Sequence, residues 1–187
     1  MNLPPPNVIL LKGAPGVGKS SAARLLAKQF PTGVRIEVDD LRNMVVLPQW
    51  TNQLEHRKVL GLSARLAAGF ITEGFGPVVL IDTFSGDKLR DFLSTLRDCH
   101  SDVYPFIAGL HASEDVLRHR IANREAGGFR DYDVSLRINR EVAADTASVD
   151  ILIDTSAMTP KDVSDTLLQA IARSSDASRP HPREASV

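Results

Sequence analysis

A single cysteine in 187 residues, Cys99, excludes an intramolecular disulfide framework and any cysteine-rich metal site, and it suits a reducing compartment. Long apolar runs are missing too, and nothing approaches the roughly 20 residues a spanning helix requires. Residues 1–6 carry neither the basic nor the apolar stretch of a secretion signal, so the expectation is a cytoplasmic protein with no membrane partner. Net charge is nearly absent: 22 Lys and Arg stand against 23 Asp and Glu, a formal −1. A nucleic-acid coat protein or a basic membrane-surface protein needs a clear positive excess, and this chain has none. Aromatics are sparse at 5%, which leaves few platforms for stacking on bases. What remains, 43% apolar and 24% charged residues, is the balance of one globular domain, placed at residues 1–173.

Short β-rich runs alternate with segments of helical period, the pattern of a parallel sheet with helices on its faces. Val8, Ile9, Leu10 and Leu11 read as a buried first strand. Residues 18–30 follow as a helix with Ala22, Leu25, Leu26 and Phe30 on one side. Residues 34–38 alternate as a second strand, and residues 40–47 form a short helix stopped by Pro48. Residues 51–73 predict a longer helix with Leu54, Leu62, Leu66 and Ile71 in the core, although Gly61 and Gly69 argue against one unbroken rod. The continuous, β-branched run at residues 78–82 has the character of a central parallel strand. Leu89, Phe92, Leu93 and Leu96 then mark an amphipathic helix.

Residues 103–110 read as a fourth strand, and Pro105 points to an edge or a bulge. Ser113 is expected to cap a helix to about residue 125, Gly127 and Gly128 to break it, and Asp133 to cap another to about residue 146. A fifth strand at 149–153 precedes a last helix opened by Thr159 and Pro160, with Val163, Leu167, Leu168 and Ile171 inward. The polar stretch 174–187 is expected to be a disordered tail. The predicted fold class is α/β, three layers around a five-stranded, mainly parallel sheet, with a helical lid at about residues 113–146.

Residues 13–20, Gly13-Ala14-Pro15-Gly16-Val17-Gly18-Lys19-Ser20, match G-x-x-x-x-G-K-[ST] in full. Glycines let the backbone turn tightly enough for successive N–H groups to face phosphate oxygens. Lys19 brings a cation to the β- and γ-phosphates, and the Ser20 hydroxyl can ligate Mg²⁺. The helix that follows, entered through Ser20 and Ser21, aims its N-terminal N–H groups at the same anion. A strand before and a helix after is the setting those mechanics demand, so residues 13–21 read as a nucleoside-triphosphate site with Mg²⁺.

Parallel strands deliver their C-terminal ends to one edge, where the phosphate loop also lies. Asp39, leaving the second strand, is thereby placed near the γ-phosphate as a base for an acceptor hydroxyl. The competing reading is a helix cap, which is preferred for Asp40. Arg42, one turn on, can grip the acceptor or a phosphate. Asp82 ends the third strand and reads as a Mg²⁺ ligand, direct or through water, or as the start of a turn. Arg118, Arg120, Arg124 and Arg130 form a cluster; Arg120 and Arg124 are read as lid residues on one helix face, against a solvated basic face. His56, His100, His111, His119 and His181 show no metal-ligand spacing and no paired acid. Cys99 is read as unreactive, and Trp50 as packing rather than stacking on a base.

Together the phosphate loop, Val38-Asp39-Asp40-Leu41-Arg42, Val78-Val79-Leu80-Ile81-Asp82 and Arg120-x-x-x-Arg124 resemble the small P-loop kinases that include phage polynucleotide kinase, zeta toxins and chloramphenicol phosphotransferase, over about residues 7–172. The resemblance implies a P-loop NTPase fold of the AAA-type ATP-binding kinases. It casts Asp39 as catalytic base, Arg42 on the acceptor side and Arg124 on the nucleotide phosphates, with residues 155–160 beside the adenine. The segment 43–76 matches no substrate signature, so the acceptor does not transfer with the fold. The expected activity is ATP-dependent transfer of the γ-phosphate to a hydroxyl of a small-molecule or nucleotide-type acceptor, with a small molecule favoured over nucleic acid. The alternative is a nucleotide-binding regulatory or toxin-like module acting on a protein partner. A GTPase is disfavoured because no Asn-Lys-x-Asp segment occurs.

Overall fold

The computed structural model describes residues 5–124 and 129–176. Five strands, β1 (Val8–Gly13), β2 (Val34–Glu37), β3 (Val78–Asp82), β4 (Pro105–His111) and β5 (Ile151–Asp154), form one sheet in the order β2-β3-β1-β4-β5. Every pairing is parallel, with Leu10 opposite Leu80 on one side and Ile107 on the other. Among the described residues seven helices flank the sheet: α1 (Lys19–Ala27), α2 (Val38–Arg42), α3 (Gln53–Thr72), α4 (Lys88–Cys99), α5 (Glu114–Ala122), α6 (Tyr132–Ala144) and α7 (Pro160–Asp176).

Successive strand side chains point to opposite faces, so β1 feeds two cores at once. Ile9 and Leu11 join Val79, Ile81, Ala108 and Leu110 under α1, α5, α6 and α7. Val8 and Leu10 join Ile36, Val78 and Leu80 under α3 and α4. Both faces being covered explains why β1 and β3 are apolar throughout rather than alternating. Each fully buried leucine in these layers contributes about 2 kcal/mol of apolar transfer. This is the three-layer α/β/α fold of P-loop proteins.

Several expectations are corrected. Helix α3 is one unbroken rod through Gly61 and Gly69, and its N-cap is Asn52, whose side chain accepts from the N–H groups of Leu54 and Glu55. Its buried stripe runs through Val59, Leu60, Ser63, Ala64, Ala67 and Ala68, while Leu54, Leu62 and Leu66 are exposed at 64, 57 and 41%. Small side chains let the helix lie close against α4 over the buried layer, and that inverts a phase read from bulk alone. Strand β4 is internal, between β1 and β5, with Pro105 as its first residue, where a missing N–H costs no interior ladder bond. The N-cap of α6 is Asp131, accepting from Val134 N at 3.0 Å, and Asp133 sits in the first turn. Helix α7 continues through Ser174 to Asp176, so the polar tail starts no earlier than residue 177. The break at Gly127 and Gly128 and the rest of the tail lie outside the described residues. Among those residues, no helix is long and apolar enough to cross a membrane.

Candidate active site

The loop between β1 and α1 turns at three glycines, Gly16 at φ 93° among them. A Cβ on Gly13 would stand 2.5 Å from Leu110 O, and Gly18, at φ 98°, is the left-handed N-cap of α1. Lys19 folds back over this loop, donating to Gly13 O at 2.8 Å and Ala14 O at 2.9 Å. Burial pulls its ammonium down to about 8, although Asp82, Asp39 and Glu37 favour the charged form. Ser20 Oγ donates to Glu37 Oε1 at 2.5 Å, and Arg35 holds the other oxygen of that carboxylate at 2.6 Å. Glu37 stands at the end of β2, the same sheet edge as the loop, and lines the same cavity, a position that no motif marks.

Asp39 lies in the first turn of α2, whose N-cap is Glu37; neither Asp39 nor Asp40 caps it. The cap reading of Asp40 is therefore corrected: its carboxylate pairs with Arg35 at 3.2 Å. Desolvation, then the nearby Asp82, raises the Asp39 carboxyl above its usual range, against Lys19, Arg42 and His56. Arg42 is buried, donates from Nη2 to Gln49 O at 3.1 Å and places its guanidinium 4.5 Å from the centre of the Trp50 ring.

At the end of β3 the Asp82 carboxylate is closed in by two donors. His56 Nε2 stands 2.9 Å from Oδ1, and Phe84 N donates to Oδ2 at 3.1 Å. Phe84 takes the left-handed φ of 48°, unusual for a bulky residue, and its ring is fixed edge-on against Phe92. Asp82 thus does start a turn, as its competing reading required. Burial alone would raise its carboxyl; the His56 and Phe84 bonds outweigh that and hold it below the ordinary value. On the far side of the imidazole, Lys88 Nζ donates to His56 Nδ1 at 3.2 Å. An ammonium has only protons to offer, so Nδ1 is the acceptor and Nε2–H donates to Asp82. The absence of a paired acid expected for His56 is corrected: its acid is Asp82, 26 residues away in sequence.

Arg120 clamps the last loop to the phosphate loop, donating to Thr155 Oγ1 at 3.0 Å and to Thr155 O at 2.8 Å, while the Thr155 hydroxyl lies 2.9 Å from Val17 O. Arg124 lies beyond the end of α5, so the two arginines do not share a helix face, yet both line the central cavity. Arg118 packs over Tyr132, 4.2 Å from the ring centre, and Arg130 donates to Arg124 O.

A cavity of about 860 Å³ gathers these groups. Pro15 to Ser21 in the loop, Asp39, Arg42, Asp82, Arg120 and Arg124 all line it; of the predicted nucleotide-binding residues only Gly13 and Ala14 lie behind its wall, as acceptors for Lys19. His56, Ser85, Lys88 and Arg137 line it as well, unforeseen. Oxygen donors suit a hard cation such as Mg²⁺, which takes one or two carboxylates and completes its shell with water and phosphate. The Ser20 hydroxyl beside Glu37, with Asp82 on the same cavity, is such a set. Among the described residues, no group of three or more His, Cys, Asp and Glu side chains forms a metal cage.

The model of the AAA domain family matches residues 8–147. The chain belongs to the AAA domain family. No curated protein sequence matches this AAA-domain chain, but solved structures do. It is similar to a gluconokinase from Sinorhizobium meliloti 1021, at 21% identity and a TM-score of 0.65, over 95% of this chain and 97% of that one. A tunicamycin resistance protein from Deinococcus radiodurans gives 20% identity and a TM-score of 0.64, over 91 and 95% of the two chains. A shikimate kinase from Acinetobacter baumannii, in complex with shikimate, gives 18% and 0.57, over 92 and 95%. The likeness at these identities is one of fold, that of the small P-loop kinases.

Proposed function

We propose that the chain is an ATP-dependent phosphotransferase that moves the γ-phosphoryl group to a hydroxyl of a small molecule. One observation supports this reading above others: the cavity does not end at the phosphate loop. Arg42, Trp50, Gln53, His56 and Lys88, from α2 through α4, line the same cavity as the loop, and this second lobe of wall is one that a site for nucleotide alone has no use for.

In this reading the loop N–H groups, Lys19, Arg120 and Arg124 hold the triphosphate and neutralise charge as it spreads over the γ-phosphoryl oxygens. Ser20 and Asp82, with Glu37 bonded to Ser20, would hold Mg²⁺, which when bound supplies neutralisation of phosphate charge. The acceptor oxygen attacks the γ-phosphorus, the bond to the β-phosphate oxygen breaks, ADP leaves, and Asp39 takes the hydroxyl proton. Desolvation of Asp39 strengthens it as a base, because it lifts the carboxyl toward the working pH. Residues 155–160 would lie against the adenine; Thr155, Met158 and Pro160 line the cavity.

Incubating the protein with Mg-ATP and a pooled set of hydroxylated metabolites, with products read by mass spectrometry, tests the reading. The expected result is a phosphorylated acceptor and ADP release that depends on it. ADP release at one rate with and without acceptors, and no product, would point instead to a nucleotide switch acting on a protein partner.

A further inference from the structure

This second lobe of wall holds two buried cations that no carboxylate among the described residues meets at hydrogen-bond distance. Arg42 is 4% exposed, its Nε is buried with no partner, and its nearest ion-pair oxygen, on Glu55, stands 3.7 Å from Nη2. Lys88 is 6% exposed, and its Nζ bonds only to His56 Nδ1 at 3.2 Å and Ser85 Oγ at 3.3 Å. Asp82 reaches Lys88 only across the imidazole. Burial holds the Lys88 ammonium below its ordinary value, and Arg57, Arg42 and Arg137 add to the positive field there. Buried charge without a direct partner is costly, and an anion brought in by a ligand relieves that cost at both groups together. The planar fork of Arg42 suits two oxygens of one carboxylate or phosphate, and Trp50, half-exposed beneath it, offers a flat apolar wall.

We propose that the phosphoryl acceptor is a small hydroxylated anion whose carboxylate or phosphate binds Arg42 and Lys88, with its carbon skeleton against Trp50. Asp39 is itself acidic, so the reacting hydroxyl lies at the end of the molecule away from that anionic group. The proposal rests on the phosphotransferase reading above and names its substrate class.

Trp50 is the only tryptophan in the chain, and Arg42 lies against it, so its fluorescence reports this lobe directly. The whole protein, saturated with Mg-ADP, is titrated with threonate and with glycerol 3-phosphate, and in parallel with their neutral counterparts threitol and glycerol. Saturable emission changes with an anion and none with the alcohols are expected; which anion responds separates carboxylate from phosphate recognition. Lys88→Gln keeps an N–H donor for His56 and removes the charge. It is expected to weaken anion binding about tenfold or more while the affinity for Mg-ADP stays unchanged. The wild-type panel decides the charge question whatever the stability of the variant. An alcohol binding as tightly as its anion, anions binding only by displacing Mg-ADP, or no saturable response would overturn the proposal. The two readings fail separately: an anion that binds this lobe yet gives no phosphorylated product with Mg-ATP contradicts the phosphotransferase and leaves the anion site standing.

Discussion

Lys19 and Asp39 are pushed toward each other's titration range by the same enclosure. Burial lowers the Lys19 ammonium to about 8, and desolvation with Asp82 raises the Asp39 carboxyl. A cation that must keep its proton and a base that must lack one give a bell-shaped pH profile. The kcat/KM for ATP is expected to fall near pH 8 as Lys19 deprotonates, and to fall on the acid side at a pH above the ordinary carboxylate value as Asp39 protonates. In kcat the alkaline limb is expected at higher pH, because bound triphosphate favours the ammonium; coincident alkaline limbs would contradict the role given to Lys19. His56 makes a second prediction at this scale. Replacing it by alanine strips Asp82 of a donor and Lys88 of an acceptor, both buried, and is expected to cost about 3 kcal/mol in urea denaturation. A loss under about 1 kcal/mol would mean that the chain Lys88–His56–Asp82 does not hold the two walls of the site together.

Among elements, β1 carries the phosphate loop and is tied to the end of α6 by one ion pair. Lys12, 5% exposed, donates to Asp145 Oδ2 at 2.6 Å, and Ser148 N donates to the other oxygen at 3.1 Å. The Lys12 bond, then that of the Ser148 hydroxyl, holds the Asp145 carboxyl at about 2 rather than 3.8. A depressed carboxyl adds stability that is present above 3.8 and is lost as pH falls toward 2. Asp145→Ala leaves Lys12 buried and unpaired, and the expected cost is about 2 kcal/mol at neutral pH, below the full buried-pair figure because Asp145 is partly solvated. Urea midpoints measured between pH 5 and pH 2 are expected to fall less steeply in the variant. Strands were legible at this level because two-sided burial writes itself as an unbroken apolar run, as in β1 and β3. The phase of α3 was not, because a helix packed close against its neighbour α4 buries alanine and serine and leaves Leu54, Leu62 and Leu66 outside. The start of α6 was missed by two residues, since Asp131 and Asp133 are both acceptable caps and only the backbone path separates them.

For the whole molecule, what could be read in advance of the site is what lies close together in the chain. The loop 13–20 states its own chemistry, and Asp39 and Asp82 follow from the rule that parallel strands end on one edge. Glu37, His56, Lys88 and Arg137 had no such signal. His56 comes from α3, Lys88 from α4 and Asp82 from β3, and only the strand order β2-β3-β1-β4-β5 with α3 and α4 on one face brings the three into contact. The proposed function divides labour across one cavity, with nucleotide held by the loop and the acceptor proton taken by Asp39. Asp39→Asn tests it most directly, with Mg-ATP affinity and phosphorylated product measured on the same preparation. ATP affinity is expected to stay within about threefold while transfer falls by about 10²–10⁴. Transfer at the wild-type rate in the Asn variant, with ATP bound as before, would contradict it.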